Sequence, residues 1–180
     1  SHKSYRPLTI LSFRAQTLIA YPAQPAAFHA VNVALHSAVA YCVTKLGSKL
    51  WPERSSSSAL RRRHVALLAG LLFAVHPVHV EAVTGTVGRA ELLCALGCFA
   101  SATAYAACAS PAAGRSRFAQ CALGVLAAAL FFAAVLCKET GVTLLGVLAM
   151  REIFVPLPRC LGHRGRGHGL DRPRLWAGLC

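Results

Sequence analysis

The feature that most constrains the fold is a series of apolar runs, each close to the length of a membrane-spanning helix. About 20 apolar residues cross the hydrocarbon core of a bilayer as one helix. With 56% hydrophobic residues and a mean hydropathy of +0.52, the chain is too apolar for an ordinary soluble domain. The sequence therefore predicts an all-α, polytopic membrane protein embedded in a lipid bilayer, with about five transmembrane helices. The predicted spans are residues 26–44, 64–80, 90–109, 118–137 and 141–157.

Two prolines indicate where the shorter runs end. Pro77 lies in the second run and Pro156 in the fifth. Proline lacks a backbone N–H donor and clashes with the preceding helical turn. We therefore expect both helices to end or kink at these positions.

The basic residues predict the orientation of the chain. Lys and Arg number 19 against 6 Asp and Glu, a net charge of +13. In a soluble protein this balance suggests nucleic acid, but here the basic clusters lie between the apolar runs and alternate onto one side. Because short cytosolic loops collect Lys and Arg, we expect no nucleic-acid partner and a cytosolic location for all three clusters. They comprise Lys45, Lys49, Arg54, Arg61, Arg62 and Arg63; Arg115 and Arg117; and Arg151, Arg159, Arg164, Arg166, Arg172 and Arg174.

Composition also divides the chain. Four serines at 55–58 followed by arginines at 61–63 predict a flexible cytosolic loop. Residues 158–180 are rich in Gly, Arg and His and are interpreted as a cytosolic tail or sequence-end segment, separate from a membrane domain at 1–157. Six cysteines in or beside the apolar runs are predicted to be small buried residues without bridges: Cys42, Cys94, Cys98, Cys108, Cys121 and Cys137.

Three polar residues of the first run share one helical stripe. His29, Asn32 and His36 follow the spacing i, i+3 and i+7. Polar side chains within a span face protein or water. The stripe predicts either hydrogen bonds between helices or the wall of a cavity that contacts a polar ligand.

The segment after the second run carries His76, His79 and Glu81. Imidazole and carboxylate groups are ordinary zinc ligands, but this spacing fits no established zinc motif, so we expect no metal. Pro77 breaks the helix here, and the histidines are predicted to bind backbone groups that lose their helical partners.

Gly85 and Gly88 predict a tight turn before Arg89. Backbone amides at a helix start, together with a guanidinium, suit a phosphate group. The alternative is an ion pair from Arg89 to Glu91 or Glu81 that closes the loop. Lys138 opens the fifth run from the same side, either as a second cation or as a solvated boundary residue.

Four segments in order resemble one family. They are SHKSYRPL at 1–8, HAVNVALH at 29–36, FAVHPVHVEAVTGTVGRAE at 73–91 and LCKETGVT at 136–143. Together they resemble the transmembrane and tetratricopeptide-repeat proteins, which are O-mannosyltransferases of the GT-C superfamily. The resemblance covers about residues 1–155 and implies part of a GT-C membrane domain.

The resemblance implies transfer of mannose from dolichyl phosphate mannose to Ser or Thr of cadherin or protocadherin domains. It places the protein as a multi-pass component of the endoplasmic reticulum membrane, with its site facing the lumen and with no tightly bound cofactor. It also implies inversion at the sugar carbon, a carboxylate base for the acceptor hydroxyl and cations for the leaving phosphate.

The resemblance also assigns roles to individual residues. Arg89 becomes the phosphate contact and Lys138 a secondary cation, with His2 and Arg6 as further substrate or phosphate contacts. The candidate catalytic or site-lining groups are His79, Glu81 and Glu91.

The acidic pair of the first luminal loop in GT-C enzymes would precede Ser1, so we expect an N-terminal fragment that is inactive alone.

Two other functions stay open at this point, a non-catalytic membrane scaffold and a transporter. A transporter is expected to show internal symmetry, and the sequence shows no repeat of 20 to 50 residues.

Overall fold

The computed structural model describes residues 5–19, 24–50, 58–109 and 116–154. Regular secondary structure in these ranges is helical, which confirms the all-α prediction. The α-helices are α1 (Pro7–Ile19), α2 (Pro25–Leu50), α3 (Ser58–Val75), α4 (Val80–Thr84), α5 (Arg89–Ala109), α6 (Arg117–Cys137) and α7 (Thr143–Phe154); 3₁₀ turns occupy Pro77–His79 and Glu139–Val142.

Three of the described helices are long and apolar enough to cross a membrane: Pro25–Ser48, Arg89–Ala109 and Arg117–Cys137. A fourth crossing results if Ala59–Val75 and Pro77–Thr84, which are bent by 49°, form one broken span. The predicted first, third and fourth spans are thus present as helices of sufficient length. The second is interrupted at Pro77, where the sequence predicted a break.

The predicted fifth span, residues 141–157, is described only as far as Phe154. A 3₁₀ turn takes up Glu139–Val142, so α7 begins at Thr143, two residues later than predicted, and its described part has 12 residues. The full length of this span stays a prediction. Residues 155–157 of the predicted span, and the tail at 158–180, lie outside the described ranges.

Two helical segments differ from the sequence prediction. α1 precedes every predicted span; its sequence is only partly apolar, and it starts at Pro7, a residue favoured in the first helical turn. Residues 58–63 belong to α3 and not to a flexible loop, so the arginines at 61–63 lie on a helix. The remainder of that predicted loop, 51–57, is not described.

α5 and α6 pack as an antiparallel pair through small residues. A Cβ atom at Gly97 would lie 2.9 Å from the Cβ of Ala134, so the backbones approach closely. Further along, Ser101 Oγ donates to the carbonyl of Ala127 at 2.8 Å. This pairing of small residues with a buried hydroxyl is typical of helices that associate within a bilayer.

The outward surface of α6 is apolar. Phe118, Val125 and Phe132 recur every seven residues and are 84%, 70% and 62% exposed. A surface of this kind is unusual in a soluble monomer and suits contact with lipid. Together with the helix lengths, it identifies a membrane protein.

The cysteines differ in burial. Cys94 and Cys137 are buried, as predicted; Cys42, Cys98 and Cys108 are only partly buried; and Cys121 is exposed, so its predicted burial is wrong. Cys121 lies in the first turns of α6, which places it on the same lipid-accessible exterior as Phe118.

Helix directions bring the polar connections to one end of the bundle, which we call the polar end. It comprises α1, the start of α2, residues 76–91, the end of α6 and residues 138–140. Contacts across it include Asn32 to Gly85 and Thr9 to Cys137. Since the helices alternate in direction, the basic stretches at 45, 61–63 and 117 lie at the other end, as the charge pattern predicted.

We expect Gly97→Val to lower the free energy of unfolding by about 1–3 kcal/mol, because the new side chain must displace Ala134. Gly146→Val in α7 is the matched control, since a Cβ at Gly146 meets nothing within 4 Å. Thermal loss of helical circular dichroism in detergent compares the two variants. Equal midpoints for both would contradict the close packing of α5 on α6.

Candidate functional site

Arg89 is the most deeply buried charged group that the structure describes. Arg89 is the first residue of α5 and is 1% exposed. Nε donates to Asn32 Oδ1 at 3.1 Å and Nη2 donates to the carbonyl of Phe28 at 3.2 Å. The guanidinium carbon lies 4.3 Å from the ring centroid of Phe13. All these partners are neutral, so among the described residues no carboxylate compensates the charge.

Asn32 connects α2 to the turn before α5. It is 0% exposed, and Nδ2 donates to the carbonyls of Val83 at 3.3 Å and Gly85 at 3.0 Å. This confirms hydrogen bonding by the polar stripe of α2. His36 also faces inward, with Nε2 3.1 Å from the carbonyl of Ala74. His29 is exposed, and the carbonyl of its neighbour Phe28 contacts Arg89.

The turn before α5 is as tight as its glycines predicted. A Cβ atom at Gly88 would lie 2.3 Å from the carbonyl oxygen of Ala82. The backbone amides of residues 88–92 donate to the carbonyls of residues 85–88. These five amides already have acceptors within the turn, and phosphate binding by the backbone of this segment stays a prediction. The guanidinium of Arg89 is the other group that the sequence predicts as a phosphate contact in this segment.

Two ion pairs lie at the same end of the bundle. Lys138 Nζ is 2.6 Å from Glu91 Oε1, and Arg6 Nη2 is 2.9 Å from Glu139 Oε1. The predicted alternative, an ion pair from Arg89 to Glu91 or Glu81, is wrong, since Arg89 bonds to neutral groups. Lys138 follows the last residue of α6 and thereby links α6 to the start of α5.

α1 is fastened to the end of α6 by a charged and a neutral contact. The Arg6 guanidinium donates to Glu139, and this hydrogen bond is the main reason that the pKa of Glu139 lies below its ordinary value. Thr9, 5% exposed, donates through Oγ1 to the carbonyl of Cys137 at 3.0 Å. These contacts hold the helix that carries Phe13 over Arg89.

A cavity of about 560 Å³ lies between α1, α2 and α5. Its walls are almost entirely apolar, yet Arg89 and Gln16 border it. Gln16 Oε1 is buried and has no hydrogen-bond partner among the described residues. The cavity is lined by Ser12, Ala15, Gln16, Ile19, Ala27, Ala30, Val31, Leu35, Arg89 and Leu93.

The histidines after α3 form an aromatic cluster. The ring of His79 lies 4.1 Å from Phe73, 5.3 Å from His36 and 6.0 Å from His76, measured between centroids. His76 Nδ1 accepts from the amide of Val78 at 3.2 Å, which caps the 3₁₀ turn. His76 thus takes the structural role that the break at Pro77 predicted, whereas His79 packs against aromatic rings. In the described ranges no group of three or more His, Cys, Asp or Glu residues is arranged to hold a metal.

The structure brings only some of the other predicted site residues together. Glu91, Lys138 and Arg6 form ion pairs at the polar end. His79 packs against aromatic rings, and Glu81 is exposed on α4. His2 lies outside the described residues.

Sequence reasoning missed Phe13 and Gln16, because α1 was not predicted as a helix. No local pattern marks these two residues, because their contacts with Arg89 and with the cavity depend on how α1 packs.

Comparison with known proteins finds related chains along most of this sequence. The chain is 42% identical to the Homo sapiens protein O-mannosyl-transferase TMTC4 over 159 residues, covering 86% of this chain and 22% of that protein. It is 39% identical to the Drosophila melanogaster protein O-mannosyl-transferase Tmtc3 over 166 residues, covering 86% and 18%. It is 42% identical to the Xenopus laevis protein O-mannosyl-transferase tmtc2 over 161 residues, covering 86% and 17%.

The chain spans roughly a fifth of the length of these curated relatives. No protein-family model matches the sequence. No solved structure gives a significant match.

We expect the docking of α1 to weaken as the pH falls. Because Arg6 lowers the pKa of Glu139, the ion pair contributes fully above the ordinary carboxyl pKa and is lost as the pH falls through the lowered value. Amide hydrogen exchange in α1, corrected for its intrinsic pH dependence, measures this. Glu139→Gln is expected to reduce α1 protection at neutral pH, whereas Glu152→Gln, which breaks an ion pair on α7, leaves it unchanged. Unaltered protection of α1 in Glu139→Gln would contradict a contribution of this ion pair to the docking of α1.

Proposed function

Because most of this chain is 39–42% identical to curated protein O-mannosyl-transferases, we propose that it belongs to the TMTC family and forms part of the membrane domain of such an enzyme. The proposed reaction transfers mannose from dolichyl phosphate mannose to Ser or Thr of a cadherin or protocadherin domain. The proposed location is the endoplasmic reticulum membrane, with the polar end of the bundle facing the lumen. The names of the relatives support the mannosyl transfer; the donor, the acceptor and the location rest on the resemblance of the sequence motifs.

The observation that carries the proposal is the buried guanidinium of Arg89 beside an apolar cavity. A lipid phosphate joins an anion to a long apolar chain. The cavity between α1, α2 and α5 offers apolar walls for such a chain, and Arg89 offers a positive charge with no anionic partner among the described residues. A positioned cation stabilises the negative charge that develops on a departing phosphate.

Lys138 and Arg6 take a supporting part in this proposal. Each is already paired with a carboxylate, so its charge is largely compensated. We assign Lys138 to joining α6 to α5, and Arg6 to docking α1 over the site. Arg89 is left as the primary phosphate contact.

The acceptor hydroxyl must lose a proton during the transfer, and a carboxylate is the expected base. Glu91 is engaged by Lys138. Glu81 is exposed, and the structure shows no ion pair for it within the described ranges. Of the carboxylates in this segment, Glu81 is therefore the one that we retain as a candidate base.

We expect Arg89→Gln in the complete protein containing this chain to lower kcat/KM for the mannosyl donor by about 100-fold, roughly 2.7 kcal/mol of transition-state stabilisation. Arg89→Lys is expected to recover only part of this, because an ammonium cannot reproduce the planar contacts to Asn32 and Phe28. Transfer of mannose from dolichyl phosphate mannose to a cadherin-domain acceptor is the measurement.

Arg14→Gln is the matched control for this experiment. Arg14 is an exposed cation of α1, and its loss is expected to leave transfer unchanged. A folded Arg89→Gln variant that transfers mannose at the wild-type rate would contradict the proposed phosphate contact.

A further inference from the structure

We infer that Asn32 is a positioning residue that fixes the orientation of Arg89 while leaving its positive charge uncompensated. The inference rests on the proposed role of Arg89 as the contact for a lipid phosphate. It concerns the affinity for the donor and not the chemical step itself.

The hydrogen bonds of Asn32 fix its side-chain amide in one orientation. Nδ2 faces two acceptors, the carbonyls of Val83 and Gly85, at 3.3 and 3.0 Å. Oδ1 faces one donor, Arg89 Nε, at 3.1 Å. A flipped amide would place its oxygen against two carbonyl oxygens and its nitrogen against an N–H donor. The position thus demands an acceptor towards Arg89 and donors towards the turn.

These contacts also fix the plane of the guanidinium. Nε is bound by Asn32 and Nη2 by the carbonyl of Phe28, while one face is covered by the ring of Phe13. The group is therefore held at two edges and one face. The remaining N–H donors lie in the same fixed plane, where they suit the oxygens of a phosphate.

A neutral amide is the side chain that combines both requirements. A carboxylate at position 32 would also accept from Arg89 Nε, but it would form a buried ion pair and cancel the charge that an anionic ligand needs. It would also direct an oxygen towards the carbonyls of Val83 and Gly85. An apolar residue would leave those carbonyls and Arg89 Nε without their partner.

Asn32 further couples two elements that shape the site. Val83 and Gly85 precede Arg89 by only a few residues, so Asn32 holds both the guanidinium and the turn that leads to it. Since Asn32 belongs to α2, which also lines the cavity, a single side chain sets the position of the cation relative to the cavity wall.

Asn32→Asp in the complete protein containing this chain tests the inference. The substitution is nearly isosteric but supplies a negative charge. We expect the KM of the folded variant for dolichyl phosphate mannose to rise about tenfold or more, with a much smaller change in kcat. The thermal midpoint is expected to fall as well, because an oxygen then faces the carbonyls of Val83 and Gly85. A purely structural role would instead change the thermal midpoint without this selective change in KM.

Val87→Asp is the matched control. Val87 is 72% exposed on the same turn, so this variant adds a carboxylate near Arg89 in the chain but outside its hydrogen bonds. We expect its donor KM to match the wild type. An equal rise in KM for both variants would overturn the inference, because the effect would then be one of general charge.

Asn32→Ala covers the case in which the aspartate variant does not fold. It removes the acceptor for Arg89 without adding charge, and we expect the donor KM to rise here too. A folded Asn32→Asp or Asn32→Ala protein with the wild-type donor KM refutes the inference. If Arg89→Gln raises the donor KM while the position-32 variants do not, only the role of Asn32 fails; a wild-type KM in Arg89→Gln removes the phosphate contact itself.

Discussion

The buried guanidinium of Arg89 is the interaction on which the polar end of the bundle depends. Moving a charged group out of water costs several kcal/mol unless hydrogen bonds replace those of the solvent. α2 supplies these bonds through Asn32 and the carbonyl of Phe28, and α1 supplies the ring of Phe13. The relative positions of α1, α2 and α5 are therefore set by one shared requirement. The cavity between those three helices follows from the same arrangement.

The buried Asn32 supplies hydrogen bonds that the broken span requires. Pro77 interrupts the helix after α3, and the chain leaves helical geometry again at Gly85. Within a membrane protein, backbone groups freed in this way must find partners inside the protein. His76 caps the 3₁₀ turn, and Asn32 donates to Gly85 and to the neighbouring carbonyl of Val83. The irregular segment is thus stabilised by polar side chains at the level of the site.

The charges of the polar end differ in how fully they are compensated. Lys138 and Arg6 each contact a carboxylate and serve to join elements that are distant in sequence. Arg89 contacts neutral groups. This contrast separates cations whose charge is paired with a carboxylate from a cation without an anionic partner among the described residues, and it underlies the proposed contact with a lipid phosphate. Sequence position alone does not distinguish them, because all are basic residues beside apolar runs.

The sequence by itself determined the helical membrane class, the long spans, the break at Pro77 and the membership of Arg89 in a polar end, because these depend on local composition and spacing. Only the tertiary structure decided the partners. Arg6 meets Glu139 across 133 residues and Arg89 meets Asn32 across 57, and such contacts depend on how helices pack. α1 illustrates the same limit: its local signal is weak, and its place over the site depends on contacts with α2, α5 and α6.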